Sequence, residues 1–204
     1  MIERGVLRFG EFTLKSGRKS PYFFNLGSID DGVGLAMLGS AYATAIVSLG
    51  HEMPDVLFGP AYKGIPIAVA AAVALHRDHG LSVGVAFNRK EAKSHGEGGS
   101  LIGRALEGRV LIVDDVMTAG TAVTEAASLV RSGGGNLVGV LVALDRQEIV
   151  APGQTAVARM TQELGAPVYA ISTLSDVIAY LDSRGGYADS LAQIRTYQRE
   201  YCVA

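Results

Sequence analysis

Short β-branched runs recur along the chain at regular distances, and longer stretches with helical character separate them. The runs are "DVLFG" at 55–59, "LSVGVAF" at 81–87, "RVLIVDD" at 109–115, "NLVGVLVAL" at 136–144 and "PVYAIS" at 167–172. They are nearly continuous in apolar residues, as strands buried on both faces must be. Residues 33–49 and 64–79 are Ala-rich and long enough for helices, and 121–132 sets Val123, Ala126, Ala127 and Val130 on one helical face. Strand and helix in alternation predict an α/β fold: a central parallel sheet flanked by helices on both faces. The "GGG" at 133–135 predicts the end of the third helix, since glycine tolerates a left-handed C-cap.

At 204 residues the chain suits one domain with a sizeable core. Its 18 basic and 20 acidic residues leave a net charge of −2, which gives no overall attraction to nucleic acid or to an anionic membrane, so any anion site must be local. The single cysteine, Cys202, excludes an intrachain disulfide and a cysteine metal cluster, and fits a reducing cytoplasm. The longest apolar run, "IPIAVAAAVAL" at 65–75, is too short to span a bilayer. Two segments stand outside the alternation. "FTLKSGRKSPYFFNLG" at 12–27 reads as short strands around a Gly/Ser/Pro turn, forming a small hood. "NRKEAKSHGEGGS" at 88–100, charged and glycine-rich, reads as a mobile surface loop. His51, His76 and His79 show no metal-ligand spacing and are expected at the surface; Asp30–Asp31, before a glycine, are expected in a turn or helix N-cap.

The chemistry concentrates in "RVLIVDDVMTAGTAV", residues 109–123. A buried strand here ends on two adjacent carboxylates, Asp114 and Asp115, which cannot both hide in a core. In open α/β sheets ligands bind beyond the carboxyl ends of the strands. There the two acids can accept hydrogen bonds from vicinal sugar hydroxyls or hold a divalent cation through water. The small residues that follow let a phosphate approach the backbone, Thr118 and Thr121 offer hydroxyl donors, and a helix N-terminus favours an anion by roughly 0.3–2 kcal/mol. The alternative, that the acids open an ordinary turn and Thr118 caps a helix, fits the spacing as well.

This stretch resembles the phosphoribosyl-diphosphate (PRPP) signature of type I phosphoribosyltransferases. Four more segments, "FTLKSGRKSPYFFN" at 12–25, "FGPAYKGIPIA" at 58–68, "FNRKEAKSHGEGG" at 87–99 and "LDRQE" at 144–148, resemble the orotate phosphoribosyltransferase family in the same order. The resemblance implies one phosphoribosyltransferase domain over residues 1–204, with about 1–30 in a hood over the base site and 88–100 as a catalytic loop. It implies PRPP contacts from Lys15, Tyr62, Lys63, Arg89, Lys90, Lys93, His95, Asp114, Asp115 and the stretch Val116, Met117, Thr118, Ala119, Gly120, Thr121 and Ala122. Lys93, Lys15, Asp114 and Asp115 would serve catalysis, and Phe23, Phe24, Thr118 and Arg146 would bind orotate. A guanidinium fork suits a planar carboxylate; on the residues alone, Arg146 could equally pair with Asp145 or Glu148, and Lys63 could be a solvated lysine.

The resemblance further implies a cis peptide at Ala61–Tyr62, Mg²⁺ carried on PRPP with no direct protein ligand, and a homodimer in which Arg89, Lys93 and His95 reach the neighbouring site. It implies no nucleic-acid partner and no membrane. Family members place a longer helix ahead of the point where this chain reads "VLRFGEF". Two other readings share the acidic signature. A purine phosphoribosyltransferase would not need Phe23, Phe24 and Arg146. A PRPP-sensing regulator of nucleic acid should show a basic face and lack loop cations such as Lys93.

Overall fold

The computed structural model describes residues 2–14, 16–50, 53–93, 99–117 and 120–203, with side chains of 90–93 and 99–100 outside that description. The chain opens with an antiparallel hairpin, β1 (Leu7–Thr13) and β2 (Lys19–Phe24), then a single 3-10 turn at Leu26–Ser28 and α1 (Gly32–Ser48). Asp31 is the N-cap of α1, its carboxylate accepting from the Gly34 amide at 2.6 Å. The core units follow: β3 (Val56–Gly59), α2 (Gly64–His79), β4 (Gly84–Lys93), β5 (Gly99–Gly103), β6 (Arg109–Val116), α3 (Thr121–Ser132) and β7 (Asn136–Asp145). Beyond them lie the short pair β8 (Ile149–Ala151) and β9 (Gln154–Thr155), then α4 (Ala156–Leu164), β10 (Val168–Thr173), α5 (Leu174–Arg184) and α6 (Ala188–Tyr201).

Six strands form the central sheet in the order β10-β7-β6-β3-β4-β5, parallel throughout except for the antiparallel edge strand β5. The two-residue period of a strand sorts side chains to opposite faces. Leu57, Leu111, Val113, Leu141 and Ala143 join one cluster with α1, α2, α5, α6 and the hairpin. Val56, Phe58, Val110, Ile112, Val140 and Val142 join the other, against α3 and α4. The hood is therefore separate from the sheet in hydrogen bonding but continuous with one of its cores, through Val6, Leu7, Tyr22, Phe24 and Leu26.

The five strands and three helices read from the sequence are present within a few residues. One reading is corrected. The segment 88–100 is not a loop at its ends, because β4 continues to Lys93 and β5 starts at Gly99, pairing antiparallel at the sheet edge; residues 94–98 lie outside the described residues. The "GGG" does end α3, with Gly133 as its cap and Gly134 at φ 81° in the left-handed turn, the Gly134 and Gly135 amides donating back to Arg131 O and Val130 O. Helices α4 to α6 were not read from the sequence, although it carries signals for them: Leu174, Val177, Ile178 and Leu181 fall at helical spacing in α5, and Thr173 and Asp176 form a reciprocal capping box at its start. His76 and His79 are exposed, and His51 lies outside the described residues.

Candidate active site

Strand order creates the site. From β3 the chain steps outward to β4 and β5 on one side, then returns to place β6 on the other side of β3. The carboxyl ends of β3 and β6 therefore flank a topological switch point, where the diverging connections leave a crevice. After β3 come Pro60, Ala61, Tyr62 and Lys63; after β6 comes the acidic pair; after β7, next in the sheet, come Asp145 to Glu148.

The first of these loops is compressed. A Cβ on Gly59 would overlap the Gly64 carbonyl, and one on Gly64 would overlap the Pro60 ring, so the close return of the chain into α2 requires glycine at both positions. The Ala61–Tyr62 peptide is cis, as the resemblance implied, and the Ala61 amide donates to Asn88 Oδ1 on β4 at 2.9 Å. Tyr62 is 66% exposed. Lys63 Nζ reaches across the switch point to Asp115 Oδ2 at 2.7 Å and also donates to Asn25 Oδ1 at 2.9 Å, tying the hood to both strand ends. Lys63 is thus neither a lone solvated lysine nor buried: its side chain is half exposed, while that of Asp115 is largely covered.

The acids differ in environment. Asp114 accepts at Oδ1 from the Asp115 amide at 2.9 Å, and its carbonyl accepts from the buried Tyr42 hydroxyl at 2.6 Å. Burial pushes the Asp114 carboxyl up to about 6; the Asp115 amide and Lys63 pull against that, and the Asp115 charge adds to it. Burial likewise raises the Tyr42 hydroxyl well above its usual range, so it remains a donor. Past the acids, Val116 ends β6 and Met117 is buried. Gly120 caps α3 at φ 75°, with the Met160 methyl filling the space a Cβ would need. A glycine cap offers no side-chain acceptor, so the first amides of α3, beside exposed Thr121 and Ala122, are left for an anion. Thr118 and Ala119 lie outside the described residues.

The third loop holds Arg146. Its Nε donates to Glu148 Oε1 at 2.7 Å, its Nη2 to Ser20 Oγ at 3.1 Å, and its guanidinium lies 4.3 Å from the Tyr22 ring centroid. Of the two pairings open in the sequence, the one with Glu148 forms. On the hood the Phe23–Phe24 pair separates. Phe24 packs into the core, whereas Phe23 lies on the opposite face, stacked on Phe12 at 5.4 Å with Arg8 above it at 5.3 Å. Arg89 is partly buried on β4; only the backbone of Lys90 and Lys93 is described, and Lys15 and His95 lie outside the described residues.

Sequence reasoning gave no role to Asn25 and Asn88, although both lie inside the family segments, nor to Tyr42, which no motif marks, because each acts through a partner distant in the chain. Among the described residues no group of three or more His, Cys, Asp or Glu forms a metal-ligand set. No helix among them is long and apolar enough to cross a membrane.

A mostly parallel sheet with an acid pair and a glycine-capped helix start at its switch point is the architecture of a phosphoribosyltransferase, and residues 26–169 match the phosphoribosyl transferase domain family. The chain is 54% identical over 202 residues to orotate phosphoribosyltransferase of Alteromonas mediterranea, and 52% identical over 202 residues to that of Vibrio parahaemolyticus, covering 99% of this chain and 94% of each relative. The structure of orotate phosphoribosyltransferase from Francisella tularensis superposes with a TM-score of 0.85 at 35% identity, covering 99% of this chain and 96% of that one. This chain belongs to the orotate phosphoribosyltransferase family and is an enzyme that transfers a pentosyl group. These relatives decide against the purine enzyme and the nucleic-acid regulator that the acidic signature alone left open.

Proposed function

We propose that this enzyme transfers the phosphoribosyl group of PRPP to N1 of orotate, giving orotidine 5′-monophosphate and diphosphate for UMP synthesis in the cytoplasm. The observation that carries the reading is the arrangement at the switch point, with Asp114 and Asp115 ahead of the glycine-capped α3 and Lys63 facing them from the next strand. Asp114 and Asp115 accept hydrogen bonds from the ribose hydroxyls. The stretch 116–122, with Thr118 and Thr121, holds the 5′-phosphate. Lys63, with Arg89, Lys90, Lys93 and His95, takes up the charge of the departing diphosphate, and Lys15 serves the reacting centre. The Lys63–Asp115 pair in the ligand-free protein has to be exchanged on binding. Half-exposed pairs contribute about 1 kcal/mol or less, so the exchange costs little.

Arg146 and Thr118 meet orotate, and the Phe23–Phe24 stretch of the hood lies along the base pocket. The C1′–O bond lengthens ahead of attack, so the ribose carries oxocarbenium character. Catalysis consists of holding two anions in line and stabilising charge as it moves, with no covalent nucleophile. Mg²⁺ enters on PRPP. Two carboxylates, one of them engaged by Lys63, suit contact with such a substrate-borne ion better than a resident cage of six oxygens. The active unit is a homodimer in which Arg89, Lys93 and His95 reach the neighbouring site. An apolar face supports it: Val33 and Met37 on α1 and Val69 and Val73 on α2 are all exposed, each pair one helical turn apart.

The test is to mix the protein with orotate, PRPP and Mg²⁺ and to follow orotate absorbance in the ultraviolet. Loss of the orotate signal that requires both PRPP and metal is expected. Protein that binds PRPP but leaves orotate unchanged would overturn the reading.

A further inference from the structure

The surroundings of Arg146 are more elaborate than an anion receptor needs. Glu148, which takes the Arg146 Nε proton, also accepts from the Tyr197 hydroxyl at 2.6 Å and lies 3.5 Å from Arg18. Tyr197 belongs to α6, and its ring meets Tyr22 edge-on at 6.0 Å, the same Tyr22 that lies beneath the guanidinium. The backbone of the turn is gripped from the same side. Val203 N donates to Gln147 O at 3.0 Å, and Gln147, at φ 55°, accepts at Oε1 from the Ser175 amide and hydroxyl at 2.8 and 2.7 Å. A non-glycine residue with positive φ persists where its surroundings fix it.

We propose that Glu148 and Tyr197 are positioning residues for Arg146, holding the guanidinium so that its remaining N–H groups receive the carboxylate of the acceptor base. The inference rests on the reading of Arg146 as the orotate receptor. Glu148 occupies Nε and Ser20 one proton of Nη2, and the Tyr197 hydroxyl also meets the guanidinium, so that the donors these partners do not use remain for a carboxylate. Glu148 faces two arginines, Arg18 and Arg146, and Asp145 adds a second carboxylate to the same turn, so the arginine charges are balanced by the protein itself. Tyr197 satisfies Glu148 without adding charge, so the C-terminal helix orients the receptor while leaving that balance intact. A guanidinium held on two sides and stacked on a ring has little rotational freedom left to lose on binding.

Two variants test the proposal by opposite logic. Tyr197→Phe keeps the ring contacts and the Glu148 charge and removes only the hydroxyl. Glu148→Gln keeps the shape and removes the charge, making the cluster more positive by one. If Glu148 merely neutralised the arginines, Glu148→Gln would tighten the binding of an anionic base. As a positioning residue it should do the reverse. Both variants are expected to raise KM for orotate about tenfold, with KM for PRPP unchanged and kcat within about threefold, and to shrink the preference for orotate over the same ring lacking the carboxylate.

A lowered orotate KM in Glu148→Gln would overturn the proposal, as would equal rises for both substrates or loss of cooperative unfolding in both variants. An unchanged orotate KM in both, with a raised one in Arg146→Ala, would overturn it while leaving Arg146 as the receptor. An unchanged orotate KM in Arg146→Ala, or no orotate turnover by the unaltered enzyme, would instead overturn the reading beneath it.

Discussion

Asp114 is ionised at neutral pH in a place that opposes ionisation, and replacing it with asparagine should stabilise the ligand-free protein. Its carboxyl titrates at about 6 in the folded chain, against an ordinary 3.8. The difference of about two pH units, at 1.36 kcal/mol each, corresponds to about 3 kcal/mol. Because the Asp114 side chain is not wholly buried, about 1–3 kcal/mol is the expected range. The sign follows from the raised value. Below about 3.8 the group is protonated in folded and unfolded chains alike and costs nothing. As pH rises through about 6 the folded chain must carry a buried charge, and stability falls.

Asp114→Asn preserves the acceptor for the Asp115 amide and removes the charge. Urea unfolding of both proteins between about pH 4 and pH 8 is the assay. The variant should be more stable at the upper end, the gap should close across the interval from about 6 to 3.8, and turnover should fall because a ribose contact is lost. A gap that does not depend on pH, or a variant less stable than its parent at pH 8, would refute the assignment of burial as the dominant influence on this residue.

Gly59→Ala should destabilise the protein by about 2–3 kcal/mol in chemical denaturation, because the added Cβ meets the Gly64 backbone, which cannot rotate away as a side chain would. Lys93→Ala should lower kcat far more than the affinity for PRPP measured by direct binding, and equal losses in both would contradict its assignment to the departing diphosphate. Chelation of divalent cations should abolish orotate consumption and added Mg²⁺ should restore it; turnover that persists in excess chelator would remove the metal from the proposal.

What the sequence alone determined is what neighbouring residues decide between themselves. The short, continuous apolar runs such as "RVLIVDD" and the helical spacing of 121–132 specify strand and helix because those patterns are local. Two carboxylates at the end of an apolar run, followed by small and hydroxyl residues, point to a ligand site at a strand's carboxyl end, because adjacent charges there need partners beyond their own chain neighbours. Residues 88–100 misled, since charge and glycine suppress an apolar pattern while β4 and β5 at an exposed sheet edge need none on their outer side. The C-terminal helices were missed although their signals are local too: Leu174, Val177, Ile178 and Leu181 lie at helical spacing in α5, the Thr173–Asp176 box marks its start, and Gly165 and Gly185 close α4 and α5.

Tertiary structure decided everything that requires two distant segments to meet. Strand order set Lys63 against Asp115, and the fold of the hood added Asn25 to that pair. Packing put Phe24 in the core and Phe23 outside it, a division that alternation along β2 allows in either sense until one face is buried. The choice of Glu148 as the partner of Arg146, and of Tyr197 as the partner of Glu148, came from α6 docking on the hairpin and the turn after β7. Such contacts leave no trace in spacing, because their energy depends on distance in space and the chain records only distance along itself.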